Sequence, residues 1–314
     1  MSDICLQINL CPGDVAYAER TVPRLLAQHP DDIAHRMLIV DTNKPQRTRA
    51  NQRDYPEPEF SEKANQIQDI AKSFQSQGLI DEIVKLNGKQ TELQCHLSKK
   101  FSGGWIPPHI THDYHGAAYL AYLAAIDLCP QRYLLHYDAD ILMYQQAGTD
   151  WVQTTLSYWD KLPDAIVATP RIAPPGHTPD APSEHQGRPY HTCEGGWLDD
   201  WFSTRCFLMD TKRLDNYLPL VKKRYLLEVL FYRILKRRYP PAPEILLFRS
   251  AGASGARRLN LSDQTSWLLH PTEKPERFLR LLPELLQALD RGSFPPEQTG
   301  QSEINLAAWE NFLK

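Results

Sequence analysis

The sequence predicts an α/β fold in which helices cover both faces of a mainly parallel sheet. Short apolar runs rich in β-branched residues recur along the chain, from "ICLQINLC" near its start to "CFLMD" at 206–210. Stretches with helical apolar spacing stand between them. Strand alternating with helix is the pattern of successive crossovers, which lay strands side by side in one direction. Punctuation agrees: Ser61 stands where a helix is capped and Gly78 where one stops.

In chain order, residues 4–11 read as the first strand and "VAYAERTVPRLLAQHP" as the helix after it. "RMLIVDT" (36–42) is a second strand ending on Asp41, 61–78 a helix, and "IDEIVKLN" (80–87) a third strand. "HGAAYLAYLAAIDLC" (115–129) is a helix that runs into the strand "YLLHY" (133–137). "AIVATP" (165–170), "CFLMD" (206–210) and "ILLFR" (245–249) read as further strands. "TSWLL" (265–269) reads as a helix opened by Ser262-Asp263-Gln264, and amphipathic helices at 276–291 and 303–313 end the chain.

Two segments break the rhythm. Residues 170–190 hold six prolines and no apolar periodicity, a long loop of the kind that serves as a lid or an inert excursion. Residues 221–239 are helical, with seven basic residues against one acid. They are a candidate for peripheral contact with an anionic membrane; a solvated face is the plainer reading.

The chain has 314 residues, 42% hydrophobic and 23% charged, as ordinary globular proteins do. Lys+Arg at 35 against Asp+Glu at 38 leaves no field that recruits nucleic acid, and no nucleic-acid partner is expected. The six cysteines form no CxxC pair, which suits buried free thiols in a reducing compartment. The N-terminus has no basic lead, and the longest apolar stretch (117–126) is about half a bilayer span. A cytoplasmic protein is expected, at most peripheral at the inner face of a membrane.

The chemistry concentrates in "YLLHYDADILMY" (133–144), where Asp138 and Asp140 interrupt an otherwise apolar run. In a doubly wound sheet ligands collect at the carboxyl ends of strands, where these residues stand. If the strand stays extended, a spacing of two puts both carboxylates on one face. At about 5 Å and an effective dielectric of about 20 they would repel by roughly 3 kcal/mol. A divalent cation relieves that, and Mg²⁺ or Mn²⁺ completes such a shell with water and substrate phosphates. A strand-end turn with two capping aspartates is the bland alternative.

The stretch "AAYLAYLAAIDLCPQRYLLHYDADILM" resembles the core of GT-A fold glycosyltransferases, most nearly family 2, where a helix leads into a hydrophobic strand ending in DxD. "INLCPGDVAYAERTVPRLLAQHP" and "RMLIVDTNKP" resemble that family's first strand, helix and second strand. The resemblance implies residues 1–145 as a nucleotide-sugar-binding half, 146–270 as the acceptor half of one domain, and 271–314 as a C-terminal helical extension. It implies a nucleotide-sugar donor, UDP-sugar favoured, and a saccharide or lipid-linked acceptor. Asp138 and Asp140 match the metal-binding aspartates, with Mn²⁺ or Mg²⁺ bridging the diphosphate. Asp41 matches the acid that contacts the base, although "VDTNKP" replaces the usual Asp-Asp-Gly-Ser. Asn9 and His115 match donor-contacting positions, and His270 resembles the C-terminal His that touches metal or phosphate.

Transfer also needs a base for the acceptor hydroxyl. Asp263 is the first candidate, beyond the small-residue loop "RSAGASGARRLN" (249–260); Glu194, Asp199 and Asp200, flanked by Trp197 and Trp201, are rivals. Inversion is favoured over retention, although "FSTRCFLMDTKRL" and "LSDQTSWLL" also resemble the order seen in retaining family 8 enzymes. Two other classes start from similar residues: a non-catalytic sugar-nucleotide or glycan binder, and a haloacid dehalogenase-type phosphatase. The phosphatase motif wants Thr or Val where this chain has Leu142, and usually lies in the first strand.

Overall fold

Successive residues of the first strand, β1 (Ile4–Leu10), point to opposite sides of the sheet. Ile4, Leu6, Ile8 and Leu10 enter one hydrophobic cluster and Cys5 enters another, so the sheet carries a core on each face. In β2 (His35–Asp41), Leu38 and Val40 join the first cluster while Met37 and Ile39 join the second. The computed structural model describes residues 3–29, 33–88, 91–176 and 190–314.

β1 pairs in parallel with β2 on one side and with β4 (Tyr133–Asp138) on the other; β2 pairs in parallel with β3 (Glu82–Leu86). The remaining strands are β5 (Leu142–Gln145), β6 (Ala165–Thr169), β7 (His191–Cys193), β8 (Gly196–Asp199), β9 (Cys206–Asp210), β10 (Arg257–Leu261) and β11 (Ser266–Leu269). Nine of them form one sheet in the order β3-β2-β1-β4-β9-β6-β10-β8-β7. β9 runs antiparallel between β4 and β6, β10 parallel to β6, and β8 antiparallel to β10. The sheet is mostly parallel and flanked by helices, as the alternation predicts. β5 and β11 form a separate antiparallel pair.

Two elements differ from the sequence reading. Residues 245–249 lie in a helix, Pro243–Ser250, with Pro at its first turn and Glu244 beside it. Both are helix-start signals, and a short apolar run cannot by itself distinguish helix from strand. "TSWLL" is the strand β11, every residue of which is buried, so Asp263 caps no helix there. The helix after β2 spans Glu59–Ser76, starting ahead of Ser61, whose hydroxyl donates to Glu57 Oε2 at 2.6 Å. Helices Thr91–Ser102 and Trp151–Trp159 and strands β5, β7, β8 and β10 were not read from the sequence. Most of the proline-rich segment, 177–189, lies outside the described residues.

At the C-terminus, helix Glu276–Asp290 sends Phe278, Leu282, Leu285 and Leu289 into the cluster that holds Ile4 and Leu6. Helix Leu306–Phe312 adds Trp309, whose indole donates to Gln298 Oε1 at 2.9 Å. Because β1, β2 and β4 are parallel neighbours, their carboxyl ends open on one edge. Register sets Asn9 opposite Asp138, with Asp41 one strand away.

Candidate active site

A cavity of about 470 Å³ opens at that edge, and its wall includes Asn9, Asp41, Asp138 and Asp140. The structure therefore brings together four of the seven residues singled out from the sequence, from three strand ends and the turn after β4. Asp14, Tyr17, Tyr122 and Lys274 join them in the wall.

The two aspartates do not share a face. β4 ends at Asp138 and the chain turns at once, with Ile141 N donating to the Asp138 carbonyl at 3.1 Å. Asp138 looks toward the helix Tyr119–Leu128, where the Tyr122 hydroxyl donates to its two oxygens at 2.8 and 2.9 Å. Behind it runs a ribbon of polar side chains through the sheet. His136 Nε2 lies 3.2 Å from Asp138 Oδ1, His136 Nδ1 lies 2.5 Å from Gln7 Oε1, and Gln7 Nε2 donates to Asn9 Oδ1 at 2.9 Å. Gln7 and His136 are wholly buried, so Asp138 is held by groups that have no water to compete for them.

Asp140 turns the other way. Its Oδ2 meets Lys274 Nζ at 2.6 Å and His270 Nε2 at 3.5 Å. Burial opposes its charge, but His270 and Lys274 outweigh that and hold the carboxyl down at about 2. Its Oδ1 is buried without a hydrogen-bond partner. Lys274 Nζ also stands 5.6 Å over the Tyr17 ring. The Tyr17 hydroxyl donates to Asp14, whose other oxygen accepts from Cys11 N at 2.7 Å. Burial pushes Asp14 up to about 6 against the pull of the Tyr17 bond, with Asp140 adding like charge.

Across the cavity, Asp41 accepts from Asn43 N at 2.9 Å and Asn43 Nδ2 at 2.7 Å through Oδ1. Its Oδ2 and the Asn9 amide nitrogen are buried without partners. Burial raises Asp41 to about 7, over the opposing bonds from Asn43. A donor and an acceptor left over at one end of a cavity are what a ligand with both kinds of group would satisfy.

A divalent cation fits this geometry in one particular way. Among the described residues no three His, Cys, Asp or Glu side chains converge as a ready-made centre. Asp140 offers its unpartnered Oδ1, and His270 Nε2 lies 3.5 Å from its other oxygen; a carboxylate and an imidazole are ligands that Mn²⁺ accepts. Two protein ligands suit an ion whose shell is completed by substrate oxygens and water.

The other sequence candidates lie apart. His115 is exposed, its backbone N–H bound to Asp113 Oδ1 at 2.8 Å and its ring 3.8 Å from that of Tyr114. Its neighbours His112 and Gly116 reach the cavity wall instead. Gly116 has φ +86°, and a Cβ there would sit 2.5 Å from Asn51 Nδ2, so glycine is required where the chain enters the helix. Asp263 forms a local turn, accepting from Thr265 N at 2.9 Å and Thr265 Oγ1 at 2.5 Å, away from the cavity wall. The four residues of β11, roughly 13 Å of extended chain, separate it from His270. Asp199 is buried and bound by Asn260 Nδ2 at 2.9 Å and Arg258 at 3.4 Å, while Glu194 pairs with Lys161 at 2.9 Å on the surface.

Sequence reasoning passed over Asp14, Tyr17, Tyr122, Lys274 and Glu244. Lys274 follows His270 by four residues in "HPTEKP", a spacing that was legible. Tyr122 carries no such signal, since it sits in a helix that is apolar all round. Glu244 is raised to about 7 by burial first, then by the charges of Asp113 and Asp138.

No protein-family model matches the chain, and no curated protein matches it. Several solved structures share its layout loosely. The galactosyltransferase LgtC, in complex with donor and acceptor sugar analogues, is 14% identical, with a TM-score of 0.36 over 93% of this chain and 98% of its own. TarS residues 1–349 from S. aureus, in complex with UDP-GlcNAc, is 10% identical, with a TM-score of 0.39 over 100% of this chain and 70% of its own. The S. cerevisiae mannosyltransferase Ktr4p in complex with GDP is 11% identical, with a TM-score of 0.35 over 82% of this chain and 69% of its own.

Proposed function

We propose that this protein is a glycosyltransferase of the GT-A kind, moving a sugar from a nucleoside-diphosphate donor to an acceptor hydroxyl. One observation carries the reading. The wall of one cavity at the carboxyl ends of β1, β2 and β4 includes Asp140 with Lys274, Asn9 and Asp41, and Asp140, Asn9 and Asp41 each carry a buried polar atom without a partner. Lys274 suits a diphosphate, the Asp140 oxygen a cation that would accompany it, and the Asn9 and Asp41 groups a nucleobase, with UDP the favoured nucleotide because a carboxylate at Asp41 accepts from a uracil N–H.

In transfer, the bond from the anomeric carbon to the diphosphate oxygen breaks as the acceptor oxygen bonds to that carbon. The acceptor's proton passes to a base, and the electron pair leaves with the diphosphate. Lys274, held by Asp140 and lying over Tyr17, would place a positive charge beside the leaving diphosphate as it develops negative charge. Mn²⁺ or Mg²⁺, held by Asp140 and His270, would supply further charge neutralisation when bound. Tyr122 and the His136 ribbon fix Asp138 at the cavity wall. Asp263 would serve as base, with Glu244, whose carboxyl is raised to about 7 by burial first and then by the charges of Asp113 and Asp138, as its rival. Direct displacement would invert the anomeric centre, and the product's anomeric configuration by NMR distinguishes this from retention.

A phosphatase reading is disfavoured, because both oxygens of Asp138 already accept from Tyr122 and β4 follows three other strands of the sheet. The test is release of nucleoside diphosphate from UDP- and GDP-sugars with Mn²⁺ and a panel of saccharide acceptors. Acceptor-dependent release from one donor supports the proposal. Binding without release from any donor would make the protein a non-catalytic sugar-nucleotide binder.

A further inference from the structure

Helix Lys223–Leu235 buries Tyr225 and Val229 and leaves a second apolar face outward. Leu227, Phe231, Ile234 and Leu235 are 67, 58, 77 and 42% exposed. They fall at i, i+4, i+7 and i+8, within about 100° of arc, so they form one stripe. These four are more than half of the seven large hydrophobic side chains exposed in the described structure, gathered on a single helix. A solvated surface helix does not carry such a stripe without a partner.

The charge around the stripe says what the partner is. Lys223 and Arg224 stand at its first turn, and Lys236, Arg237 and Arg238 follow its last, all exposed. The helix's one acid, Glu228, is already bound by Arg249 Nε at 3.1 Å. Beyond the last turn a groove of about 480 Å³ is lined by Arg47, Arg49, Arg233 and Lys236. His112 lies in the wall of both this groove and the donor cavity. An apolar stripe bracketed by cations complements an anionic lipid surface, where acyl chains take the stripe and headgroup phosphates the basic residues. A protein partner's apolar groove does not call for cations at both ends. Among the described residues no helix is long and apolar enough to cross a membrane, so contact would be by lying on the surface.

We propose that the outward face of Lys223–Leu235 and the basic turn after it dock this protein on an anionic phospholipid bilayer. The docked face sets the basic groove, and through His112 the rim of the donor cavity, next to the membrane. The inference does not depend on the reaction proposed for that cavity.

Vesicle co-sedimentation of the full chain tests it, with phosphatidylcholine vesicles against vesicles of equal parts phosphatidylcholine and phosphatidylglycerol. Wild type is expected to bind the anionic vesicles and not the neutral ones, and to be released by high salt. Phe231→Ser with Ile234→Ser should weaken binding at least tenfold with an unchanged melting temperature, since both side chains are exposed. Arg224→Glu and Arg237→Glu should each cost at least about fivefold. Equal binding to neutral vesicles, no binding at low salt, or full binding by the stripe variant overturns the proposal. So does a wild-type dimer that the stripe variant dissociates while vesicles capture neither.

Discussion

Two carboxylates, one near the edge of the sheet and one beside its middle strand, show what makes a site. Asp199, on β8, accepts from Trp201 N at 3.0 Å, Asn260 Nδ2 at 2.9 Å and Arg258 at 3.4 Å, and neither of its oxygens is left over. Asp140, after β4, meets a lysine and a histidine through one oxygen and keeps the other buried and unpartnered at a cavity wall. Both sit among cations. The Asp199 carboxylate is fully bound and its yield is stability, although Asn260 Oδ1 beside it is buried without a partner; the Asp140 carboxylate is the one with an oxygen left over at a cavity-lining residue. In the sequence they look alike, each an aspartate next to apolar residues.

That contrast breaks most easily at Asp140. Asp140→Asn is expected to lower donor turnover about 10³-fold, the scale of losing a positioned electrostatic group. Its melting temperature should stay within a few degrees of wild type, because Lys274 is 27% exposed and can reach water. Full activity in that variant would place the chemistry elsewhere. Lys274→Met should follow with a kcat loss of about 10²-fold and a smaller change in KM, if its charge is met mainly by the leaving group. A pure KM effect would make it a ground-state contact only.

Asp199→Asn should behave in the opposite manner. It leaves the wholly buried Arg258 with a weakened partner, at a cost of about 3 kcal/mol. Calorimetry should show a melt lower by roughly 6–12 °C, with turnover per folded molecule unchanged. Lost turnover at an unchanged melt would erase the distinction between the two regions.

The smallest effect expected is a pH dependence. Asp41, raised by burial from 3.8 to about 7, keeps in the folded protein a proton that the unfolded chain releases. Its folded state is therefore favoured most at low pH and loses stability as pH rises from about 4 through 7. Asp14 and Glu244, raised to about 6 and about 7, act in the same direction. Asp140, held at about 2, contributes its full stabilisation above about pH 5 and therefore adds no slope over this interval. Ligand-free protein should melt a few degrees lower at pH 8 than at pH 5.5, and Asp41→Asn should flatten that slope. A melt that rises over the same interval would contradict the burial of these groups.

How much of this was legible varies with the range of the physics involved. β1, β2, β4, β6 and β9 were readable because an interior strand is apolar along its own length, and β3, at the edge, from Ile83, Val84 and Leu86 alone. Pro243-Glu244 announced a helix, but the apolar "ILLFR" after it fits either form. β11 was misread because Ser262 and Asp263 resemble a helix start, while pairing with β5 depends on a chain more than a hundred residues earlier. Asp138 and Asp140 were found by their context, yet the turn that sends them to different partners was not. Tyr122 and Asp14 reach the cavity only through long-range packing, which no local spacing encodes, whereas Lys274 could have been sought four residues beyond His270.

Asp140 as an unfinished ligand is tested most directly by calorimetric titration of UDP and GDP. Wild type should bind one of the two at least tenfold more tightly with Mn²⁺ than with chelator, and Asp140→Asn should lose the difference. If neither nucleotide binds, or if wild type and variant bind equally with and without the ion, the cavity is not a diphosphate site.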